Sequence, residues 1–173
     1  DEGQTGNGRT GYLFAFEHFG FEPDIITSAK GLGNGLPVGV MLAKQEYAAY
    51  FSAGKHGSTF GGNPLAMASA KAVLGALRAP GFLAEVTDKA TYLTTLLTDK
   101  LLGKPAVKAI RNLGLMVGIE LDDDQSVVSV LTAARTEGLL VLSAGHNVIR
   151  LLPPLVITKE QLADGVQILE DIL

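Results

Sequence analysis

Lys30 closes a short apolar run and is followed at once by glycines: Pro23-Asp24-Ile25-Ile26-Thr27-Ser28-Ala29-Lys30-Gly31-Leu32-Gly33-Asn34-Gly35. β-branched residues behind a proline predict a buried strand over Ile25–Ala29. A lysine at the mouth of such a strand is expected to be half desolvated. Burial disfavours the ammonium form and favours the neutral amine, a nucleophile toward carbonyl carbon. The glycines behind it let the backbone turn sharply and approach a ligand closely. Taken alone, a strand-end lysine is more often a solvated one, so its chemistry has to be read with the segments around it.

Three further segments carry chemistry-bearing residues. Asp1-Glu2-Gly3-Gln4-Thr5-Gly6-Asn7-Gly8-Arg9-Thr10-Gly11 opens the chain. His56-Gly57-Ser58-Thr59-Phe60-Gly61-Gly62-Asn63-Pro64 follows Lys30, and Val148-Ile149-Arg150-Leu151-Leu152-Pro153-Pro154-Leu155 stands near the C-terminus. Arg150 lies inside an otherwise apolar strand, where a guanidinium is costly unless paired and where its fork suits a carboxylate. A structural ion pair is the alternative. Gly6 to Gly11 also fits G-x-G-x-x-G, but a dinucleotide site needs a strand before these glycines and a helix after them, and neither can be read here.

In this order the four segments resemble the class III pyridoxal-phosphate-dependent aminotransferases, and within them the branch that acts on acetylornithine. The likeness runs over essentially the whole chain, as the latter part of a longer enzyme. It implies an α/β fold, fold type I: the latter part of a large parallel-sheet domain, then a small C-terminal α+β domain. It implies pyridoxal 5'-phosphate as cofactor, Lys30 as the amine that joins it covalently and moves the proton, and Asp1 as the acid facing the pyridine nitrogen. Gln4 then holds the ring hydroxyl, and Thr59 donates to the cofactor phosphate of a neighbouring subunit. Ser58 lies near the substrate, and Arg150 binds a substrate carboxylate. Gly3 departs from the family pattern, where a branched or apolar residue is usual.

The implied reaction moves the terminal amino group of N2-acetylornithine to 2-oxoglutarate, in arginine biosynthesis. Relatives that use ornithine, succinylornithine, succinyl-diaminopimelate or 4-aminobutyrate remain alternatives, as does an inactive folded piece that only dimerises. The resemblance also implies a homodimer.

Composition agrees. The chain has 173 residues, 47% of them hydrophobic, and a formal charge of −4. That length can bury a core, and that charge argues against a nucleic-acid partner. No run of about 18 apolar residues suggests a membrane span, and the start, Asp-Glu, is not a basic-then-apolar leader. Zero cysteines fit a cytoplasmic protein. His18, His56 and His146 have no ligand spacing, so no metal site is expected. Asp1 opens what reads as an internal signature, so an apolar strand is expected ahead of it.

The elements expected to position these residues fall in two domains, 1–78 and 82–173, parted by Ala79-Pro80-Gly81. A short helix over Tyr12–Phe19 is expected to carry its aromatics inward. A strand over Val38–Ala43 and a short helix over Glu46–Phe51 follow. Asn63-Pro64 predicts a capped helix to Leu77 with Leu65, Ala68, Ala72 and Leu77 on its apolar face. Beyond residue 81 the patterns predict a long helix over Phe82–Leu102 and a strand over Leu115–Leu121. A helix over Ser126–Thr136 and strands over Leu139–Leu142 and Asn147–Leu151 come next. A final helix opens on the capping box Thr158-Lys159-Glu160-Gln161.

Overall fold

Ile25–Ala29 forms a strand (β1), as its β-branched residues predict. It pairs antiparallel with Gly39–Ala43 (β2), Ile25 opposite Ala43 and Ala29 opposite Gly39. A parallel sheet is the sequence expectation for this region. The link from Lys30 to Val38 is too short for one, because a parallel crossover needs about a dozen residues or more. The computed structural model describes residues 1–173 and divides into two units, Asp1–Leu83 and Ala84–Leu173.

In the first unit, Pro64–Leu77 is an α-helix (α1). Asn63 Oδ1 accepts from the Ala66 amide at 2.9 Å, and Pro64 fills the first helical position, where no amide partner is lost. Its inward face is Ala66, Ala70 and Leu77, whereas Leu65 is 68% exposed. The expected face is therefore rotated. Small residues turn inward because α1 lies against the loop after β1, where Ser69 Oγ donates to the Gly33 carbonyl at 2.7 Å. The helix expected over Tyr12–Phe19 is only a 3-10 turn, Ala15–Phe19, with no side-chain cap and a left-handed Gly20 at its end. A segment that short cannot repay α-helix nucleation. Of the aromatics expected to turn inward, Tyr12 and Phe19 are exposed, at 47% and 65%, whereas Phe14 and Phe16 are half-buried. Gln45–Phe51 is likewise a 3-10 helix.

The second unit is a four-stranded antiparallel sheet covered by helices. Val107–Leu113 (β3), Met116–Leu121 (β4), Leu142–Ala144 (β5) and Val148–Leu151 (β6) run in the order β3-β4-β6-β5. β3 is a full strand ahead of the one expected over Leu115–Leu121. Its turn rests on Gly114, whose φ of +59° supplies the left-handed first position of a two-residue hairpin. The strand expected over Leu139–Leu142 begins only at Leu142.

The helices are Phe82–Leu101 (α2), Val127–Thr136 (α3) and Lys159–Ile172 (α4). The α4 capping box is present, with the Thr158 amide donating to Gln161 Oε1 at 3.1 Å and the Gln161 amide donating to Thr158 Oγ1 at 3.2 Å. Val86, Leu93, Leu97 and Leu101 of α2 recur at helical spacing on one buried face. β4 alternates, burying Val117, Ile119 and Leu121. Leu162, Val166 and Leu169 of α4 and Ile149 of β6 complete this core.

Leu97 is 0% exposed. Leu97→Ala is expected to destabilise the second unit by about 2–5 kcal/mol through lost burial and a residual cavity, read as a lowered urea midpoint.

Candidate functional site

The loop of residues 1–11 lies along β1. Glu2 N–H donates to the Thr27 carbonyl at 2.8 Å. Thr27 Oγ1 donates to Asp1 Oδ1 at 2.7 Å, and Gly3 N–H donates to the same oxygen at 3.0 Å. Both bonds fall on Oδ1, so Oδ2 is the oxygen left for a further donor. A Cβ on Gly3 would stand 3.1 Å from Asp1 Oδ1 and 3.9 Å from Ala29 Cβ. Asp1 to Gly3 therefore lies over the face of β1 that carries Thr27 and Ala29. A side chain at Gly3 would ask the Asp1 carboxylate to shift by only a few tenths of an ångström.

The opposite face anchors the loop. Ser28 and Asn7 are both buried. Asn7 Nδ2 donates to Ser28 Oγ at 3.0 Å and to the Ala29 carbonyl at 3.2 Å. Glu2 is buried too, with Oε1 accepting from the Phe16 amide at 2.9 Å and Oε2 from the Thr5 hydroxyl. Thr27, Asn7 and Ser28 are site residues that the sequence reading did not single out. In the sequence Thr27 is one more β-branched strand residue. Its only signal is its place three positions before Lys30. Gln4 sits half-buried in the same turn. Burial lowers the pKa of the Arg9 guanidinium from its ordinary value.

Lys30 follows β1 directly and opens a 3-10 turn, Lys30–Leu32, with φ of +51°. That conformation costs a residue with a Cβ roughly 1–2 kcal/mol, and such strain gathers at functional positions. The loop behind it is tight. A Cβ on Gly33 would fall 2.0 Å from the Leu36 carbonyl oxygen, so only glycine allows that approach. Lys30 itself is exposed, which corrects the half-burial expected for it. β1 has a single paired neighbour, β2, and much of its surface faces solvent.

Ser58 and Thr59 lie in an exposed segment ahead of α1. Ser58 Oγ accepts from the Gly61 amide at 3.1 Å, so this hydroxyl is partly used in the turn. Phe60 beside them is 81% exposed, and its carbonyl accepts from Asn63 Nδ2 at 3.0 Å.

Arg150 belongs to the second unit. It lies on β6 opposite Gly118 of β4 and Leu142 of β5. Its Nε is buried without a hydrogen-bond partner. A buried guanidinium N–H left open is unusual, since buried donors are normally satisfied. The chemistry it invites is a carboxylate, which takes the guanidinium fork in two parallel bonds. Asp1, Gln4 and Lys30 are thus assembled around β1, Ser58 and Thr59 stand on the same unit's exposed segment, and Arg150 is carried by the other unit.

A family model described as aminotransferase class-III matches residues 1–173. The acetylornithine aminotransferase of Lactococcus lactis subsp. lactis (strain IL1403) is 64% identical over 173 residues, which is 100% of this chain and 46% of that protein. The crystal structure of acetylornithine aminotransferase from Elizabethkingia anophelis superposes with a TM-score of 0.91 at 36% identity, over 99% of this chain and 44% of that one. An ornithine aminotransferase from Toxoplasma gondii, described with partial occupancy of PLP at its active site, gives 0.92 at 34% identity, over 99% of this chain and 42% of that one. The fold is accordingly α/β, of the kind these proteins share. The chain spans about half the length of the curated relatives that it matches, 46% of the Lactococcus protein.

Proposed function

The chain belongs to the class III aminotransferase family, and from that premise we propose that its protein is a pyridoxal 5'-phosphate-dependent transaminase that moves the terminal amino group of N2-acetylornithine to 2-oxoglutarate. One observation carries the reading. A lysine held in a left-handed backbone conformation directly follows the strand on which Thr27 fixes the Asp1 carboxylate.

The donor set fits the cofactor. An amine, a carboxylate with one free oxygen, a side-chain amide and hydroxyls match an aldehyde, a ring nitrogen, a ring hydroxyl and a phosphate in kind. Lys30 would hold the aldehyde by its amine, Asp1 the ring nitrogen, Gln4 the ring hydroxyl and Thr59 the phosphate of the neighbouring subunit. When bound, pyridoxal phosphate supplies an electron-poor ring that takes up the electron pair of a substrate C–H bond.

The chain's own residues do the rest. Asp1 Oδ2 keeps a proton at the ring nitrogen, so that positive charge stays where electrons are drawn. Lys30 Nζ would accept the proton from the substrate's amine-bearing carbon and return it one position away. Arg150 would bind a carboxylate of the amino donor and then of the oxo acid. Ser58 stands near the substrate.

The domain limits we assign are 1–78 for the latter part of the cofactor domain and 82–173 for the small domain. We assign a homodimer, the cytoplasm and a role in arginine biosynthesis on the same reading. The outward placement of Phe60 and of Tyr50, 81% and 73% exposed, supports an interface at the segment that carries Thr59. The exposure of Lys30 favours a second reading for the 173 residues taken alone, a folded piece without activity.

Initial rates with acetylornithine, ornithine and 4-aminobutyrate test the substrate. The expected kcat/KM for acetylornithine exceeds the others by about tenfold or more. A tenfold preference for either competitor would replace it.

A further inference from the structure

The second unit's sheet has two unlike faces. Val117, Ile119, Leu121 and Ile149 fill the core side. Met116, Gly118, Glu120, Val148 and Arg150 alternate with them and lie on the other face. On that face Gly118 stands directly between two arginines, Arg111 of β3 and Arg150 of β6. Glu120 is two residues along from Gly118. It is therefore the diagonal neighbour of both, within reach of a long side chain on either strand.

Its carboxylate goes one way. Arg111 Nη1 donates to Glu120 Oε2 at 2.6 Å, and Lys108 Nζ lies 3.4 Å from Oε1. Arg150, at the same remove on the other side, keeps a buried Nε with no partner. Gly118 leaves the row between the arginines open, and a Cβ there would press on Val148 Cγ1 at 3.3 Å. The hydrogen bond from Arg111, then that from Lys108, holds Glu120 below the usual carboxylate range. Glu120 is thus ionised at neutral pH and chemically the same kind of group as the substrate end that Arg150 is to bind.

We propose that Arg111 and Lys108 are positioning residues that hold Glu120 away from Arg150 and so keep its guanidinium open to substrate carboxylate. This rests on the assignment of Arg150 made above. Without the two cations, an internal carboxylate would sit on Arg150 and compete with every carboxylate substrate. The effect would fall on substrate binding and not on the chemical step.

The test uses the holoenzyme with Lys108→Gln and Arg111→Gln together. KM for 2-oxoglutarate is expected to rise about tenfold with kcat unchanged, the scale of coupling within one charged network. Adding Glu120→Gln is expected to return KM to within about twofold of the original. A ligand-free crystal structure of the first variant is expected to show Glu120 hydrogen-bonded to Arg150, about 3 Å apart.

An unchanged KM overturns the proposal. So does a raised KM with Glu120 still away from Arg150, because the loss is then one of field alone. Arg150→Gln separates the two layers. If it leaves KM unchanged, the carboxylate-binding reading fails and the proposal with it. If it raises KM while the Lys108/Arg111 variant does not, only the proposal fails.

Discussion

Lys30→Ala in the holoenzyme is expected to lower kcat by about 10⁴-fold, the upper end for a positioned acid–base group, and to abolish covalent capture of the cofactor. The loss is chemical and not structural. Lys30 is exposed, so removing its side chain takes nothing from the core. Its backbone supplies an independent check. With φ of +51°, Lys30→Gly relieves a left-handed strain and is expected to stabilise the chain by about 1 kcal/mol. A variant that is inactive yet more stable in urea separates a functional lysine from a structural one. A Lys30→Ala enzyme that retains most of its kcat would remove the residue from the mechanism.

Asp1→Asn is the second large effect, expected to lower kcat by about 10²–10³-fold, as removal of one preorganised charge-stabilising group does. The substitution is nearly isosteric. The remaining carbonyl oxygen can still accept from Thr27 Oγ1 and Gly3 N–H, the partners that hold Oδ1 at 2.7 and 3.0 Å. What is lost is the charge, and the oxygen that we assign to the ring nitrogen is replaced by an N–H donor. Thr27→Val keeps the charge and loosens its anchor, so a milder loss of about tenfold is expected. Rates ordered wild type, Thr27→Val, Asp1→Asn check both assignments. Equal rates for wild type and Asp1→Asn would detach the carboxylate from the chemistry.

The elements most legible in the sequence are those whose local chemistry and periodicity agree. β1 has its β-branched run, α1 its Asn63-Pro64 start, and α4 its capping box. Those misread depend on what they pack against. α1 turns alanines inward because the loop after β1 lies close against it, which hydrophobicity alone cannot reveal. Tyr12 and Phe19 are aromatic yet outward, because a 3-10 turn this short buries little beyond Ala15. β3 is not legible because Lys108, Arg111 and Asn112 interrupt its apolar residues: the first two pair with Glu120 on the open face of the sheet, and Asn112 donates to Thr94 of α2. At the site, Asp1, Lys30 and Arg150 stand out as charges beside apolar or glycine-rich segments. Thr27 and Asn7 do not, since their roles come from bonds to residues 26 and 21–22 positions away in the chain. The exposure of Lys30 was also beyond the sequence, because a strand's burial is set by its neighbours and not by its own composition.

The central claim is that one amine, Lys30, carries the cofactor. Borohydride reduction of the cofactor-loaded protein, followed by proteolysis and mass mapping, reads this directly. The account predicts a pyridoxyl-phosphate mass increment on the peptide that contains Lys30 and on no other. An increment on Lys55, Lys71 or any other lysine, with Lys30 unmodified, would contradict it.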